Sequence, residues 1–293
     1  MLQDDLLTVG EAFEDLIFFD LARLPGPGEE VKTSTFLRTF GGGAVITAIA
    51  AARLGLRCRV MSGLSAGAVA RLRAEKVRVK NLRGREEPHA ITAALSTRKN
   101  RSFVTFNGIN DYLEARLLKP ARRIMARHAH FAFYPSDCSR WKSVIAGLRR
   151  RRISTSWDFG WNEGLLDDSG LAPLLWALDY VFLNEQEALL YSRESDMAAA
   201  MRYWRTHAKN VLVKLGGMGC QWISQTFRLK ARPPRVKVVD TTGAGDAFNG
   251  GFLFGIVSGM PPRECLRIAN WVGALSTRMP GGIDGLPRRD ELR

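Results

Sequence analysis

A carboxylate stands three residues after a glycine in the run Asp240-Thr241-Thr242-Gly243-Ala244-Gly245-Asp246. Strand-like residues 236–239 precede it, and helix-like residues 247–255 follow. A small-residue turn therefore opens a helix at the end of a strand. Backbone N–H groups at such a helix start lack intrahelical partners, and the dipole there favours negative charge. Gly243, Ala244 and Gly245 leave room for an anion against that backbone, with Asp246 in the first helical turn beside it. A carboxylate next to an anion hole suits phosphoryl transfer to an alcohol: one group takes the hydroxyl proton and the donors hold developing charge. The simpler alternative makes Asp246 a first-turn acid that only complements the helix dipole, worth some tenths of a kcal/mol.

Composition excludes several other chemistries. The chain has 293 residues, 46% of them hydrophobic, which fits one large α/β domain or two small ones. Its acidic start, Met1-Leu2-Gln3-Asp4-Asp5, is unlike a signal peptide, and no apolar run is long enough to span a membrane. The four cysteines, Cys58, Cys138, Cys220 and Cys265, are far apart and read as reduced thiols of a cytoplasmic protein. His128 and His130 are the only closely spaced histidines and read as structural. No Gly-x-x-x-x-Gly-Lys-Ser/Thr loop occurs, and no Gly-x-Gly-x-x-Gly follows the first strand, which argues against P-loop and nicotinamide enzymes. The net charge is +14, densest at Arg149-Arg150-Arg151-Arg152. That cluster ends a helix-like stretch, where cations suit the dipole; with no nucleic-acid module beside it, nucleic acid is not the expected partner.

The signature must be positioned by the elements around it. Residues 6–9, 16–19, 31–40 and 57–62 read as strands, with a Pro25-Gly26-Pro27-Gly28 turn among them. Residues 44–54 form a small-residue helix ended by Gly55. Residues 90–96 and 101–106 read as a hairpin joined by Thr97-Arg98-Lys99-Asn100. Farther on, apolar strands at 130–134, 153–157, 180–183 and 211–215 alternate with helix-like stretches, as βαβ units and a buried parallel sheet require. Residues 261–279 read as a helix packed near the signature helix. The strands at 31–40 and 90–106 do not fit a parallel core and are expected to form a small β-lid over the C-terminal edge of the sheet.

The twelve residues from Asp240 to Gly251 closely resemble the C-terminal signature of the ribokinase/PfkB family of carbohydrate and nucleoside kinases. Other motifs carry the resemblance over nearly the whole chain. Gly10-Glu11-Ala12-Phe13-Glu14-Asp15 resembles the family's first strand, whose final Asp hydrogen-bonds substrate hydroxyls; a turn acid is the alternative. Gly41-Gly42-Gly43, leading into a helix that ends Ala51-Ala52-Arg53-Leu54-Gly55, resembles the N-terminal signature, where glycines let the backbone approach substrate. Asn184-Glu185-Gln186-Glu187 resembles the Asn-x-x-Glu motif that organises Mg²⁺ and phosphate through water; an ordinary helix N-cap is the alternative. Lys214-Leu215-Gly216-Gly217-Met218-Gly219 is similar to the strand and glycine turn beside the nucleotide.

The resemblance implies a single ribokinase-like domain over residues 1–293. This is an α/β/α sandwich with a mostly parallel sheet and lid strands drawn from about 12–40 and 89–107. It implies a kinase that moves phosphate from ATP to a hydroxyl of a small sugar, sugar acid or nucleoside. Asp246 is then the base, and Gly243, Ala244 and Gly245 the anion hole. Asp15, Gly41, Gly42, Gly43, Ile46 and Arg101 would meet substrate, and Asn184, Lys214, Gly216, Gly219, Thr241 and Asn270 the nucleotide. Glu187 would act on Mg²⁺ through water. In some relatives the region of Asn270 and Pro280-Gly281-Gly282 also flanks a monovalent cation such as K⁺. A homodimer through the lid is a further implication.

Two departures bear on substrate. The family usually has Asn where this chain has Ile46, and its acidic turn after the next strand is replaced by Ser62-Gly63-Leu64-Ser65-Ala66-Gly67. Ile46 favours an acceptor with an apolar face or fewer hydroxyls nearby, such as a nucleoside, and the replaced turn alters the frame around the substrate. They also keep open a catalytically degenerate member that binds a ligand and regulates a partner.

Overall fold

The computed structural model describes residues 3–97 and 100–292. Arg98 and Lys99 of the expected hairpin turn, and Met1, Leu2 and Arg293, lie outside the described residues. Strands follow the chain as β1 (Asp4–Gly10), β2 (Phe13–Leu21), β3 (Phe36–Gly41), β4 (Cys58–Ser62), β5 (Arg78–Asn81), β6 (Ile91–Thr97) and β7 (Arg101–Phe106). They continue as β8 (Ala126–Ala132), β9 (Ser154–Asp158), β10 (Tyr180–Asn184), β11 (Asn210–Lys214), β12 (Cys220–Ser224) and β13 (Arg228–Ala231). Helices are α1 (Gly43–Arg53), α2 (Ala66–Ala74), α3 (Asn110–Ala121), α4 (Cys138–Arg150) and α5 (Leu171–Ala177). Then come α6 (Glu185–Ser192), α7 (Met197–His207), α8 (Ala244–Val257) and α9 (Pro262–Ser276).

The central sheet runs β13-β12-β11-β10-β9-β8-β1-β4-β5. Pairing from β11 through β5 is parallel, and β12 and β13 add an antiparallel edge. Strand alternation divides the apolar side chains between two cores. Leu7, Val9, Val181, Leu183, Val211 and Val213 face α3 to α7, where Trp141, Trp157 and Trp204 are buried. Leu6, Phe182 and Leu212 face α1, α8 and α9 on the other side. Side chains cap the starts of α4 (Asp137) and α7 (Asp196), whereas α1 and α8 start at glycines without a side-chain cap. The result is the expected three-layer α/β/α sandwich. Among the described residues no helix is long and apolar enough to cross a membrane.

A second sheet, β3-β2-β6-β7, forms the small β-lid. Its β6–β7 hairpin pairs Ile91 with Phe106 and Ser96 with Arg101.

Four boundaries differ from the sequence expectation. Residues 236–239 make no strand. Val238 and Val239 are more than half exposed, and the Val239 N–H donates instead to the Thr277 carbonyl at 2.8 Å. Strand β3 starts only at Phe36, opposite Phe18; one further bond joins the Phe19 N–H to the Thr35 carbonyl at 3.0 Å, and the ladder stops where β2 turns through Asp20 at φ 52°. Strand β8 begins at Ala126, paired with Asp4, and ends at Ala132, so the expected 130–134 strand is shifted upstream. The chain also breaks after Gly10, so Asp15 is carried by lid strand β2 and does not end the first core strand.

Candidate active site

Helix α8 starts where the signature places it. Gly243 caps it at φ 69°, a left-handed conformation suited to glycine. The Ala247 N–H donates to the Gly243 carbonyl at 2.8 Å, and the Ala244 N–H turns back to the Thr241 carbonyl at 3.2 Å. Ala244 is therefore not a free donor, contrary to its expected place in the anion hole. The N–H groups of Gly245 and Asp246 have no partner among the described residues. Helix α1 packs against this start, and Thr47 Oγ1 donates to the Asp246 carbonyl at 3.1 Å. A methyl group built on Gly43 would stand 3.1 Å from Asp246 Oδ1, so the bare backbone of Gly43 leaves space for that carboxylate. Burial pushes the Asp246 carboxyl up to about 7; Asp158 adds to the rise, Lys214 opposes it, and Glu187 adds again.

On one side of Asp246 the charges are paired. Lys214 closes β11, and its Nζ donates to Asp158 Oδ2 at 2.6 Å. Asn249 Nδ2 donates to the same oxygen at 2.7 Å. Burial alone would raise Asp158, but the Lys214 charge and these two hydrogen bonds hold it below its ordinary value. Burial alone would lower Lys214, but Asp158 and Glu187 raise it. The Lys214 ammonium also borders the helix start, 3.3 Å from a methyl built on Gly245. Asp158 and Asn249 had no assigned role from sequence. Asp158 carries the strand-end signal of the expected site residues, whereas Asn249 looks like any helix residue.

Asn184 and Glu187 form a full capping box. Asn184 Oδ1 accepts from the Glu187 N–H at 2.8 Å, and Glu187 Oε2 accepts from the Asn184 N–H at 2.8 Å. Asn184 Nδ2 donates to Glu187 Oε1 at 2.7 Å. The N-cap alternative is thus realised. Burial raises the Glu187 carboxyl, Asp158 adds to the rise, and Lys214 and the Asn184 N–H oppose it. Gly216 and Gly219 adopt φ 54° and 95° in the turn after Lys214.

The other side of Asp246 is built by the Gly41-Gly42-Gly43 turn. Any side chain at Gly41 would collide with the Asp15 carboxylate, so Asp15 and the turn are in direct apposition. Burial pushes Asp15 up to about 7, helped by Asp240. Ile46 lies in the first turns of α1, 2% exposed, and packs into the anion-hole loop: a methyl on Gly243 would meet Ile46 Cδ1 at 2.6 Å. Its apolar side chain fills space between Gly243 and Gly282.

Two expected contact residues are committed elsewhere. Arg101 Nη2 donates to Asp240 Oδ1 at 2.7 Å, and Nη1 donates to the Thr242 hydroxyl. Asp240 is 2% exposed and also accepts from the Thr242 N–H at 2.9 Å, the Thr242 hydroxyl at 2.8 Å and the Gly281 N–H at 2.8 Å. Asp240 opens the signature, and acceptance from the N–H two residues on is the Asx-turn habit of such an Asp, the one local signal of its place here. Asn270 is 5% exposed and turns its amide inward, to the Leu266 carbonyl at 2.9 Å and Cys220 Sγ at 3.1 Å. The Cys220 contact ties α9 to β12. Thr241 is exposed beside the anion-hole loop.

Known proteins match this arrangement. The pfkB family carbohydrate kinase pattern matches residues 3–289. An uncharacterized sugar kinase of Archaeoglobus fulgidus is 44% identical over 110 residues, 37% of this chain and 44% of that protein. The chain thus spans less than half the length of that relative. Mouse ribokinase is 27% identical over 305 residues, 98% of this chain and 93% of that protein. The structure of Arabidopsis thaliana ribokinase, complexed with ribose and ATP, superposes with a TM-score of 0.79 at 23% identity, covering 99% of this chain and 98% of that one. The match across nearly the whole chain, on the fold and signature described above, shows that this protein belongs to the pfkB family of carbohydrate kinases.

Proposed function

We propose that the protein transfers the γ-phosphoryl group of ATP to a hydroxyl of a small sugar, sugar acid or nucleoside. The observation that carries this reading is the Asp246 carboxyl beside two free N–H groups at a helix start, with the Lys214 ammonium at its edge. A carboxyl poised near pH 7 can take a proton from an alcohol and release it again. The Gly245 and Asp246 N–H groups point their donors at the charge that develops on the transferring phosphoryl oxygens. Asp15 accepts from acceptor hydroxyls, and Gly41 to Gly43 bring their backbone close to the substrate. Closure of the lid sheet over this edge excludes water and suppresses hydrolysis of ATP.

The residues present fit Mg²⁺ held mainly by phosphates and water. Among the described residues no group of three or more metal-ligating side chains converges. Asp158 is taken by Lys214, and both Glu187 oxygens accept from Asn184, so Glu187 acts through water. When bound, Mg²⁺ neutralises phosphate charge. The Pro280-Gly281-Gly282 region fits a fixed guanidinium better than a free monovalent cation, because Arg101 already neutralises Asp240 there. The exposed Phe103, Val104 and Phe106 on lid strand β7 support pairing of two copies through the lid.

The test is ADP release from Mg-ATP across sugars, sugar acids and nucleosides, with D246N in parallel. Acceptor-dependent release that collapses in the variant supports the reading. A folded, ATP-binding protein that turns over no acceptor moves the weight to a ligand-binding regulator.

A further inference from the structure

Ile46 stands where the family signature usually carries an Asn, and the resemblance places it against the acceptor. The structure gives it other neighbours. Ile46 is 2% exposed, so almost none of its surface is left for an acceptor to touch. Its δ-methyl lies between two glycines from distant segments. A methyl group built on Gly243 would stand 2.6 Å from Ile46 Cδ1, and one built on Gly282 would stand 2.4 Å from the same atom. The two glycines also face each other: the methyl on Gly243 would meet Gly282 Cα at 3.1 Å. Gly243 is the left-handed cap of α8, two residues before the first of the free N–H groups at Gly245 and Asp246.

The δ-methyl has little room to yield. Behind it, α1 is docked closely on α8. A methyl on Gly250 would collide with Ala50 Cβ at 2.6 Å and with the Thr47 carbonyl at 2.7 Å, and Thr47 Oγ1 donates to the Asp246 carbonyl at 3.1 Å. Beyond Gly282 the turn is held as well. The Gly281 N–H donates to Asp240 Oδ2 at 2.8 Å. A methyl on Gly281 would meet the lid side chains Thr39, Leu37 and Ile17 at 3.1, 3.5 and 3.8 Å. Ile283 is fully buried in the same core as Ile46. Close-packed interiors feel a change of one methylene and pass strain on. A change of size at Cδ1 therefore reaches Gly243 and the helix start that it caps.

We infer that Ile46 is a positioning residue for phosphoryl transfer: its δ-methyl, wedged between Gly243 and Gly282, sets the loop that aims the Gly245 and Asp246 N–H groups and the Asp246 carboxyl. At a position where relatives usually bind substrate, this chain instead supports the anion hole. The inference rests on the kinase reading, but one arm of its test needs no turnover.

The experiment is size complementation in the full chain. G282A adds a methyl whose nearest neighbours are Ile46 Cδ1 at 2.4 Å, Ile46 Cγ1 at 3.2 Å and Gly243 Cα at 3.6 Å, and I46V removes the first of these. Kinetics use ATP with whichever of ribose, fructose and adenosine gives ADP release. G282A should lower kcat about 10- to 100-fold, the scale of a misplaced reacting group or a lost oxyanion donor. The acceptor KM should move by less than about threefold, because the interaction lost belongs to the transition state. I46V alone should lower kcat less, and I46V/G282A should recover most of the G282A loss. Thermal melting checks folding. If G282A does not fold, I46A replaces it: emptying the wedge should also lower kcat with KM kept, and I46V should keep more of kcat than I46A. The second arm is amide NMR without nucleotide. The Gly245 and Asp246 N–H resonances should move in G282A, or in I46A, and return towards wild type in I46V/G282A, or in I46V. A lowered melting temperature with kcat kept would mean that Ile46 only packs, and overturns the inference. A raised acceptor KM with kcat kept would make Ile46 a wall of the acceptor pocket, and overturns it too. So does a G282A loss that I46V does not relieve. If none of the three acceptors turns over, the kinase reading loses support and NMR alone decides the wedge: restored resonances keep it, and unmoved or unrestored ones overturn it.

Discussion

Asp158, which closes β9, and Glu11, one residue past the end of β1, occupy the same C-terminal edge of the central sheet. Asp158 accepts from Lys214 and Asn249 and stays below its ordinary value, whereas Glu11 has no cation among the described residues and is pushed up to about 7. The division extends to their neighbours. On the Lys214 side the chain supplies its own counter-ions and caps, as in the Asn184–Glu187 box. On the acceptor side Asp15 and Glu11 have no salt-bridge partner among the described residues. Asp246 lies between, near Lys214 yet pushed up to about 7. Self-compensated charge makes a rigid platform, while an uncompensated carboxyl stores an unfavourable burial that a ligand relieves on binding.

The largest expected effect falls on Asp246. D246N keeps the shape and the helix start but removes the proton acceptor, so kcat should fall by about 100- to 10,000-fold with folding intact. Steady-state ADP release at saturating acceptor measures this; an unchanged kcat would leave Asp246 as only the first-turn acid. Next comes the paired side. K214M leaves Asp158 buried without its cation and should lower the free energy of unfolding by about 3–5 kcal/mol. D158N keeps the Asn249 contact through a neutral amide and should cost less. Chemical denaturation of both variants, and of the double variant, decides whether the pair acts as a unit. Additive losses would mean that it does not.

The sequence made the chemistry at the α8 start legible because a helix start is local: capping, dipole and glycine freedom are all written within a few residues. Parallel core strands such as β10 and β11 were equally plain, as short apolar runs. What stayed hidden depends on partners distant in sequence. Strands β5 and β13, Arg78-Val79-Lys80-Asn81 and Arg228-Leu229-Lys230-Ala231, are edge strands whose charged residues mask the strand pattern. Residues 236–239 have strand composition but join no ladder, and the Val239 N–H goes to the Thr277 carbonyl beyond α9, so composition misled. Arg101 could be read as a substrate contact until its distant partner Asp240 was placed beside it. The cavity lined by Glu11, Asp111 and Tyr134 joins the β1–β2 turn, α3 and the segment after β8, which no local pattern connects.

The unpaired carboxyls give the acceptor side a pH signature, to which the raised Glu187 carboxyl of the Lys214 side adds. Glu11 and Asp15 have folded values near 7, above their ordinary 4.5 and 3.8, so the native state holds protons that the unfolded chain has lost. Their contribution to stability is therefore full below those ordinary values, declines as pH rises to about 7, and is flat beyond it. Melting temperature followed across that window should fall, and E11Q should flatten part of the decline. Activity should run the opposite way, rising through about 7 as Asp246 loses its proton. A melting temperature that climbs over the same window would contradict the assignment of these groups as unpaired.

The smallest expected effect concerns the link between the two sides. Arg101 leaves the lid sheet at the start of β7 and reaches the loop before the anion hole, where Asp240 has no other cation among the described residues. Asp240 keeps its donors from Thr242 and Gly281 when Arg101 is removed, so R101Q should cost only about 1–2 kcal/mol of stability. Because the guanidinium is fixed, wild-type turnover should not change when K⁺ is replaced by Na⁺ or by a bulky organic cation. In R101Q the same buried carboxylate faces solvent ions without its own counter-charge, so turnover should come to depend on which monovalent ion is present. If wild type already needs K⁺, Arg101 does not neutralise Asp240 in the working enzyme. The lid would then approach the anion-hole loop in some arrangement other than this clasp.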